Sequence, residues 1–404
     1  MNRRKALDVV LGIIGLAAWM LYILACRPSW SPDNSKILFP YLTPGTKEAG
    51  IALYDRNTGA VKSIFMPPAK EKGWERDSDV GPVAQWESGG SRAIVTWHEK
   101  KAKTKKKKEV QIARLQVLVF PVGSDGKTRH FKLQNREADT AMCFPWPEAD
   151  GNLYVVGKGS LARLDLKTGR SEFRELGDGR DTLFFNRDTE HIVYARDGAE
   201  TSDAMEIGDL DQNNLTLHPL FVLKEADLAH YGVKDLFPLI AFEPHGSRMA
   251  TFGKGEEEGQ YFIVFCNDSG VQKVVALELP AKVYDLGNLE WASNGKTIYA
   301  MVVTPTKDKD VQQFSLGEIP ADGGPARLDA IVRVKCDEDD AERLQIALSP
   351  DGSTIATATA HLDEGMVKMA DRGLFLVDLR DPERKVTKIQ FPVSEKGREE
   401  IPRQ

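Results

Sequence analysis

The stretch Trp30–Phe39, WSPDNSKILF, decides how the rest of the chain is read. A bulky aromatic residue is followed by a tight polar turn and then by an apolar run, the signature of one strand turning into the next. The pattern returns six more times. Its bulky first residues are Trp30, Trp86, Trp146, Phe185, Phe242, Trp291 and Leu348, and an apolar strand starts seven residues after each, at Ile37, Ala93, Leu153, Ile192, Met249, Ile298 and Ile355. The turns between read SPDNSK, ESGGSR, PEADGN, NRDTEH, EPHGSR, ASNGKT and SPDGST. Asp-Gly, Asn-Gly, Gly-Gly and His-Gly are the dipeptides that supply positive φ where two strands join tightly. Spacings of 39 to 60 residues between anchors suit four short strands per unit plus variable loops.

A second element recurs behind the first: an apolar strand, a polar turn and another strand. Examples are IALYDRNTGAVKSIF from Ile51, LARLDLKTGRSEF from Leu161, FIVFCNDSGVQKVVAL from Phe262 and LFLVDLRDPERKVTKI from Leu374. β-branched content and alternation dominate, and no amphipathic helix is evident after residue 26. The SPDG turn before an apolar strand, followed by an LYDxxTG-like hairpin, resembles the TolB-like, WD-repeat-like β-propeller family. Ser349-Pro350-Asp351-Gly352 matches that motif fully and Ser31-Pro32-Asp33-Asn34 nearly so, while the other five copies keep the shape more than the letters. The resemblance spans residues 28–392. It implies an all-β, seven-bladed propeller of four-stranded antiparallel blades around a central channel, with a polar tail over 393–404. Only Cys26 to Ser29 precede the first motif, so a short inner strand is expected at Trp30, and a blade shared between the two termini is the other way such a ring could close.

Composition is that of a globular protein, with 28% charged and 41% hydrophobic residues in 404. A net charge of −6 argues against general nucleic-acid binding. The N-terminus stands apart. Arg3, Arg4 and Lys5 precede an apolar run from Leu7 to Ala25 broken only by Asp8, a length that can cross a bilayer as a helix, with its cationic flank on the cytoplasmic side. Residues 1–26 therefore read as a hydrophobic helix that is an uncleaved anchor, a lipoprotein signal ending at Cys26, where Ile23-Leu24-Ala25-Cys26 resembles a lipidation site with an unusually bulky Leu24, or a cleaved secretory signal. Each places the large domain outside the cytoplasm. Cys143, Cys266 and Cys336 show no CxxC pairing, which points to buried thiols and to neither a disulfide framework nor a zinc site.

Several charged positions invite a function. Asp79, Asp139, Asp178 and Asp235 each lie seven residues before an anchor, with Asp285 six and Asp340 eight before theirs. That is where one blade hands over to the next, so these carboxylates are expected around the channel mouth. They either accept backbone hydrogen bonds in their own turns or form an electronegative funnel for a cation or basic partner. Glu99–Glu109, EKKAKTKKKKE, carries seven lysines, including Lys105, Lys106, Lys107 and Lys108. It reads as a solvated loop or as a contact with an anionic surface, and Trp97-His98 just before it is expected to be exposed. Trp30, Trp86, Trp146 and Trp291 are expected to pack between blades.

Enzyme signatures are missing from the sequence. It holds no G-x-S-x-G elbow with a following α/β domain, no HExxH and no metal-ligand spacing among its seven histidines. The reading is therefore a monomeric, membrane-tethered, extracytoplasmic binding platform for a protein partner or small ligand, with no cofactor and no nucleic acid. The alternative is a lactonase-, lyase- or cyclase-like propeller enzyme with a metal in its channel.

Overall fold

The structure is a computed structural model. It describes residues 27–43, 49–68, 71–76, 81–87, 89–105, 108–122, 127–134, 144–147, 151–157, 160–175, 180–185, 191–196, 204–211, 213–244, 246–257, 259–279, 282–335, 344–362 and 372–390. The segment 1–26, with Cys26, and the tail after 390 lie outside these residues. Among the described residues, no helix is long and apolar enough to cross a membrane.

The repeats fold as sheets of strands consecutive in sequence and antiparallel throughout. Six sheets have four strands and one has five. In six of the seven repeats the second strand starts one residue earlier than expected, as at Lys36 for Ile37, and in the fifth it starts at Met249 itself. The inner strand of the first sheet is short, only Ser29–Trp30. Four-stranded blades were expected throughout. The second sheet departs because its inner edge is split into Glu75–Arg76 and Val83–Trp86, both pairing with Arg92–Lys105. A single turn of α-helix, Glu225–Leu228, and a 3-10 turn, Ala229–Tyr231, also link the fourth sheet to the fifth.

The recurrent turns are held in two chemically different ways. In the first and seventh sheets a Ser-x-Asp-x-Ser unit closes on itself: the Ser31 hydroxyl donates to Asp33 Oδ1 at 2.6 Å and the Ser35 amide at 3.1 Å, while Ser349 and the Ser353 amide do the same to Asp351 at 2.7 and 3.0 Å. These bonds hold the Asp33 carboxyl down at about 2 against an ordinary 3.8, the Ser31 hydroxyl contributing most. In the second and fifth sheets, Glu87 pairs with Arg92 and Glu243 with Arg248 across the same turn, with each Arg Nε 2.8 Å from its carboxylate. Asn34 at φ 61° and Gly352 at φ 67° occupy the left-handed position the tight connection requires.

The core lies between the sheets. Trp30, Phe39 and Tyr54 of the first sheet pack on Ala347, Ala356 and Ala358 of the last. Equivalent slices join the first sheet to the second, the second to the third, the fifth to the sixth and the sixth to the seventh. The anchoring rings also bond sideways. Trp30 Nε1 donates to Ala347 O at 2.9 Å and Trp86 Nε1 to Ser29 O at 3.0 Å, each reaching the inner strand of the preceding sheet. Asn288 on the sixth inner strand, Asp285–Trp291, accepts from the Ile346 amide and donates to its carbonyl, both at 2.8 Å. The last and first sheets meet through further bonds, Leu42 N to Ala360 O at 2.9 Å and Asp351 N to Asn34 Oδ1 at 3.3 Å. Among the described residues the junction therefore joins two four-stranded sheets of consecutive strands, without a blade shared between distant parts of the chain. This arrangement of radially packed antiparallel sheets is a β-propeller.

Strand direction gives the ring two faces. The described repeat turns, and the outer hairpin turns such as Asp55–Ala60, lie on one, called the turn face. The starts of the inner strands and the ends of the outer strands lie on the other, the connection face.

Two outcomes test these contacts. Trp86→Phe is expected to cost about 1 kcal/mol more than Trp291→Phe, the net worth of a buried hydrogen bond, because Trp291 Nε1 has no partner among the described residues. The comparison is read from denaturant midpoints, and equal losses would mean that ring size alone matters. Because folding lowers the Asp33 pKa, its stabilisation is fully present above pH 3.8 and is lost as pH falls toward 2. Asp33→Asn should therefore flatten the acid limb of the stability profile in that window.

Candidate functional site

The connection face differs most from a plain propeller at the second sheet. Its two middle strands, Arg92–Lys105 and Lys108–Pro121, run 14 residues each and stay in unbroken register from Arg92↔Pro121 to Lys105↔Lys108. Their neighbours stop earlier: Glu75 pairs with Lys100 on one side and Gln134 with Arg114 on the other. Beyond those points, among the described residues, the strands pair only with each other. The result is a two-stranded ribbon reaching five residues past the sheet, about 17 Å at 3.3 Å per residue. The lysine-rich segment expected as a loop is thus strand up to Lys105 and again from Lys108; Lys106 and Lys107 lie outside the described residues.

A polar cluster braces the base of this ribbon. Glu99 and Arg114 face each other in register, both buried, with Arg114 Nε 2.5 Å from Glu99 Oε2. Gln116 Nε2 donates to the same Glu99 oxygen at 2.6 Å, and His130 Nε2 lies 2.8 Å from Gln116 Oε1. Since Gln116 uses its amide nitrogen on Glu99, its oxygen must accept, which assigns the Nε2–H tautomer to His130. Burial first, and Lys132 next, push the His130 imidazole below its ordinary range, consistent with a neutral ring at pH 7.

The link from the first sheet folds across this base. Glu71 accepts from Arg114 at 2.6 Å and from Lys132 at 3.2 Å, and its carboxyl is held below the usual range chiefly by Arg114. Trp74 lies under the Arg114 guanidinium, 3.9 Å from ring centroid to Cζ, with Lys101 Nζ at 5.9 Å. Trp97 and His98 were expected to be exposed. Both are buried, and Trp97 is only 3% accessible, because its ring fills the gap between Phe65, at 5.0 Å, and His130, stacked at 5.6 Å.

At the axis, Arg27 forms an ion pair with Glu290 on the sixth inner strand. Glu290 stands one residue before the turn-face end of that strand, so the pair lies along the inner strands and not at their connection-face rim. Burial raises the Glu290 carboxyl above its ordinary range and Arg27 opposes that rise.

Of the acidic positions expected around the mouth, Asp79, Asp139, Asp178 and Asp340 lie outside the described residues. Asp235 and Asp285 fall near the connection-face ends of the neighbouring fifth and sixth inner strands. Asp235 is exposed, and the register sets Lys254 opposite it, so positive charge accompanies the carboxylate. A cleft of about 740 Å³ opens beside it, with Lys224, Lys234, Glu256, Glu257 and Gln260 in its wall. Charges of both signs meet there. Cys266 is buried and free, its thiol pushed up to about 12 by burial, which makes it a packing residue. Among the described residues, no group of three or more His, Cys, Asp or Glu side chains is placed to hold a metal ion.

The ribbon-base residues Glu71, Trp74, Glu99, Arg114, Gln116 and His130 were not singled out from the sequence. One signal for them exists: a hairpin centred on Lys106-Lys107 sets Glu99 opposite Arg114 and Trp97 opposite Gln116, which symmetry about the lysine run would have revealed.

No protein-family model and no curated protein sequence matches the chain. Among solved structures it is similar to the Dos1 propeller, 11% identical over 90% of this chain and 83% of that one, with a TM-score of 0.47. It is also similar to a putative 6-phosphogluconolactonase from Bacteroides fragilis, 12% identical over 88% and 94% at a TM-score of 0.47. A third is an oligogalacturonate lyase in complex with manganese, 14% identical over 73% and 89% at 0.44. Likeness of this degree, to proteins of such different names, carries no functional argument.

The buried pair makes one outcome specific. Arg114→Met, which strands the Glu99 carboxylate, is expected to cost about 3–5 kcal/mol, and Glu99→Met/Arg114→Met distinctly less, since removing both charges removes the uncompensated one. Chemical denaturation of the three proteins checks it; a double variant as unstable as Arg114→Met would mean that packing, and not charge, sets the loss.

Proposed function

We propose that this chain is a seven-bladed, TolB-like β-propeller that acts as a monomeric, non-catalytic binding platform. Its N-terminal segment tethers it to the outer side of the cytoplasmic membrane or within the cell envelope, through a spanning helix or a lipid on Cys26. The ligand is a protein partner or a small molecule taken at the channel mouth, where Asp79, Asp139, Asp178, Asp235, Asp285 and Asp340 supply negative charge for a basic segment.

The observation that supports this reading most is directional. The approach to the first inner strand, the described ends of the fifth and sixth inner strands at Asp235 and Asp285, and the lysine ribbon all belong to the connection face. A tether and two oppositely charged surfaces on one side suit recruitment at a membrane better than chemistry in a sealed pocket. The described ionic clusters also favour a scaffold: Glu87–Arg92, Glu243–Arg248 and Glu99–Arg114 are internal pairs that hold turns and strands together.

The test uses the full chain extracted from the envelope after cross-linking. Asp79→Lys/Asp139→Lys/Asp235→Lys is expected to keep the far-UV spectrum and melting behaviour of the parent while losing its cross-linked partner. An unchanged set of partners, or a variant that no longer folds, would remove the acidic mouth as a recognition surface. Stoichiometric metal in the purified chain, with turnover of a lactone or uronide substrate abolished by chelation, would replace the platform with the enzyme class.

A further inference from the structure

The lysine ribbon is an addition that the propeller's core does not require, and its base is built at an energetic cost. Placing Glu99 and Arg114 away from water is repaid only by good mutual geometry and further hydrogen bonds, and both are present, through Gln116 and Glu71. The added strand Glu75–Arg76 and the Trp74 ring stacked under Arg114 extend the brace. A two-stranded hairpin alone is marginal in water. This one is carried outward from a clamped base, so it leaves the sheet in a set direction.

Its sequence and position specify what it meets. Lys100, Lys101, Lys103, Lys105 and Lys108 all fall on the described strands, giving a density of positive charge unmatched elsewhere in a chain of net charge −6. The ribbon rises from the connection face in the second sheet, next to the first. That is the face from which the first inner strand, Ser29–Trp30, is approached, four residues beyond the end of the apolar run at Ala25. So short a spacer keeps the ring close to whatever surface holds the run. The ribbon's reach, about 17 Å, exceeds the Debye length of about 8 Å at physiological salt. Its distal lysines therefore sense a charged surface that the acidic mouth, set back at the axis, is screened from.

We propose that the ribbon is a second membrane contact: a braced basic arm that docks on anionic lipid headgroups of the bilayer carrying the N-terminal segment. With the N-terminal segment in the bilayer at one point and the ribbon on the lipid away from the axis, two separated points fix the tilt of the ring. The mouth then opens to solvent on the side away from the second sheet, toward the cleft lined by Lys224, Lys234, Glu256 and Glu257. The inference rests on the tether assigned under the proposed function, and its test separates the two.

Full-length protein is reconstituted into vesicles of neutral phosphatidylcholine or of phosphatidylcholine with 30 mol % phosphatidylglycerol, and flotation is followed by brief trypsin treatment, with cleavage after Lys106 and Lys107, which the variant below retains, quantified by mass spectrometry. Flotation with both vesicles supports the tether. Cleavage at the ribbon at least tenfold slower on the anionic vesicles, with protection lost in 0.5 M salt and in Lys103→Glu/Lys105→Glu/Lys108→Glu, supports the arm. Equal cleavage on both vesicles, with flotation intact, overturns the arm and leaves the tether standing. Failure to float on neutral vesicles overturns the tether, and the arm as stated falls with it.

Discussion

No sheet in this protein can bury its own faces, and everything else follows from the way neighbouring sheets solve that problem for one another. Each slice of core belongs to two sheets, as where Trp30, Phe39 and Tyr54 meet the small residues Ala347, Ala356 and Ala358. A fully buried large side chain contributes about 1.5–3 kcal/mol, yet here it does so only if the next sheet is in place. The ring therefore has to close. The tryptophan indoles turn this shared packing into a positional lock, since Trp30 and Trp86 each spend their one polar group on the inner strand of the sheet before. Apolar area sets how close the sheets come, and the single hydrogen bond sets where along the strand they meet.

Closure leaves the two faces with different duties. On the turn face the chain satisfies itself: serine-aspartate turns, glutamate-arginine pairs and positive-φ residues use the local polar groups within a few residues of one another. On the connection face the links are longer and of unequal length, and there the chain carries a brace, a ribbon, a cleft and its own N-terminal approach. Elaboration collects where it does not disturb the inter-sheet slices, which is why a scaffold this repetitive can still be singular on one side.

The ribbon base also shows that a polar residue next to a charged run need not be at the surface. Trp97 and His98 looked exposed because seven lysines follow them. Pairing across the ribbon buries both, since the strand continues through the apparent loop and the first sheet's link covers it. Lysine's weak strand propensity concealed the hairpin. Register overrode propensity, with Arg92 to Lys105 already committed to its partner at the other end.

Sequence alone determined the β class, the repeat, the strand starts to within a residue, the turn chemistry and the burial of Trp30, Trp86 and Trp291, because each of these is a local consequence of period-two patterning and of residues that favour positive φ. It also established the apolar run before Cys26 and the lysine cluster as chemical facts. Tertiary structure alone decided the rest. The first and last sheets join by packing and hydrogen bonds between complete units, Arg27 finds Glu290 across 263 positions, and Glu99, Arg114, Gln116 and His130 converge from three strands. Such meetings depend on which sheet lies beside which and on the face from which a segment leaves, and those are properties of the closed ring and of no single stretch within it.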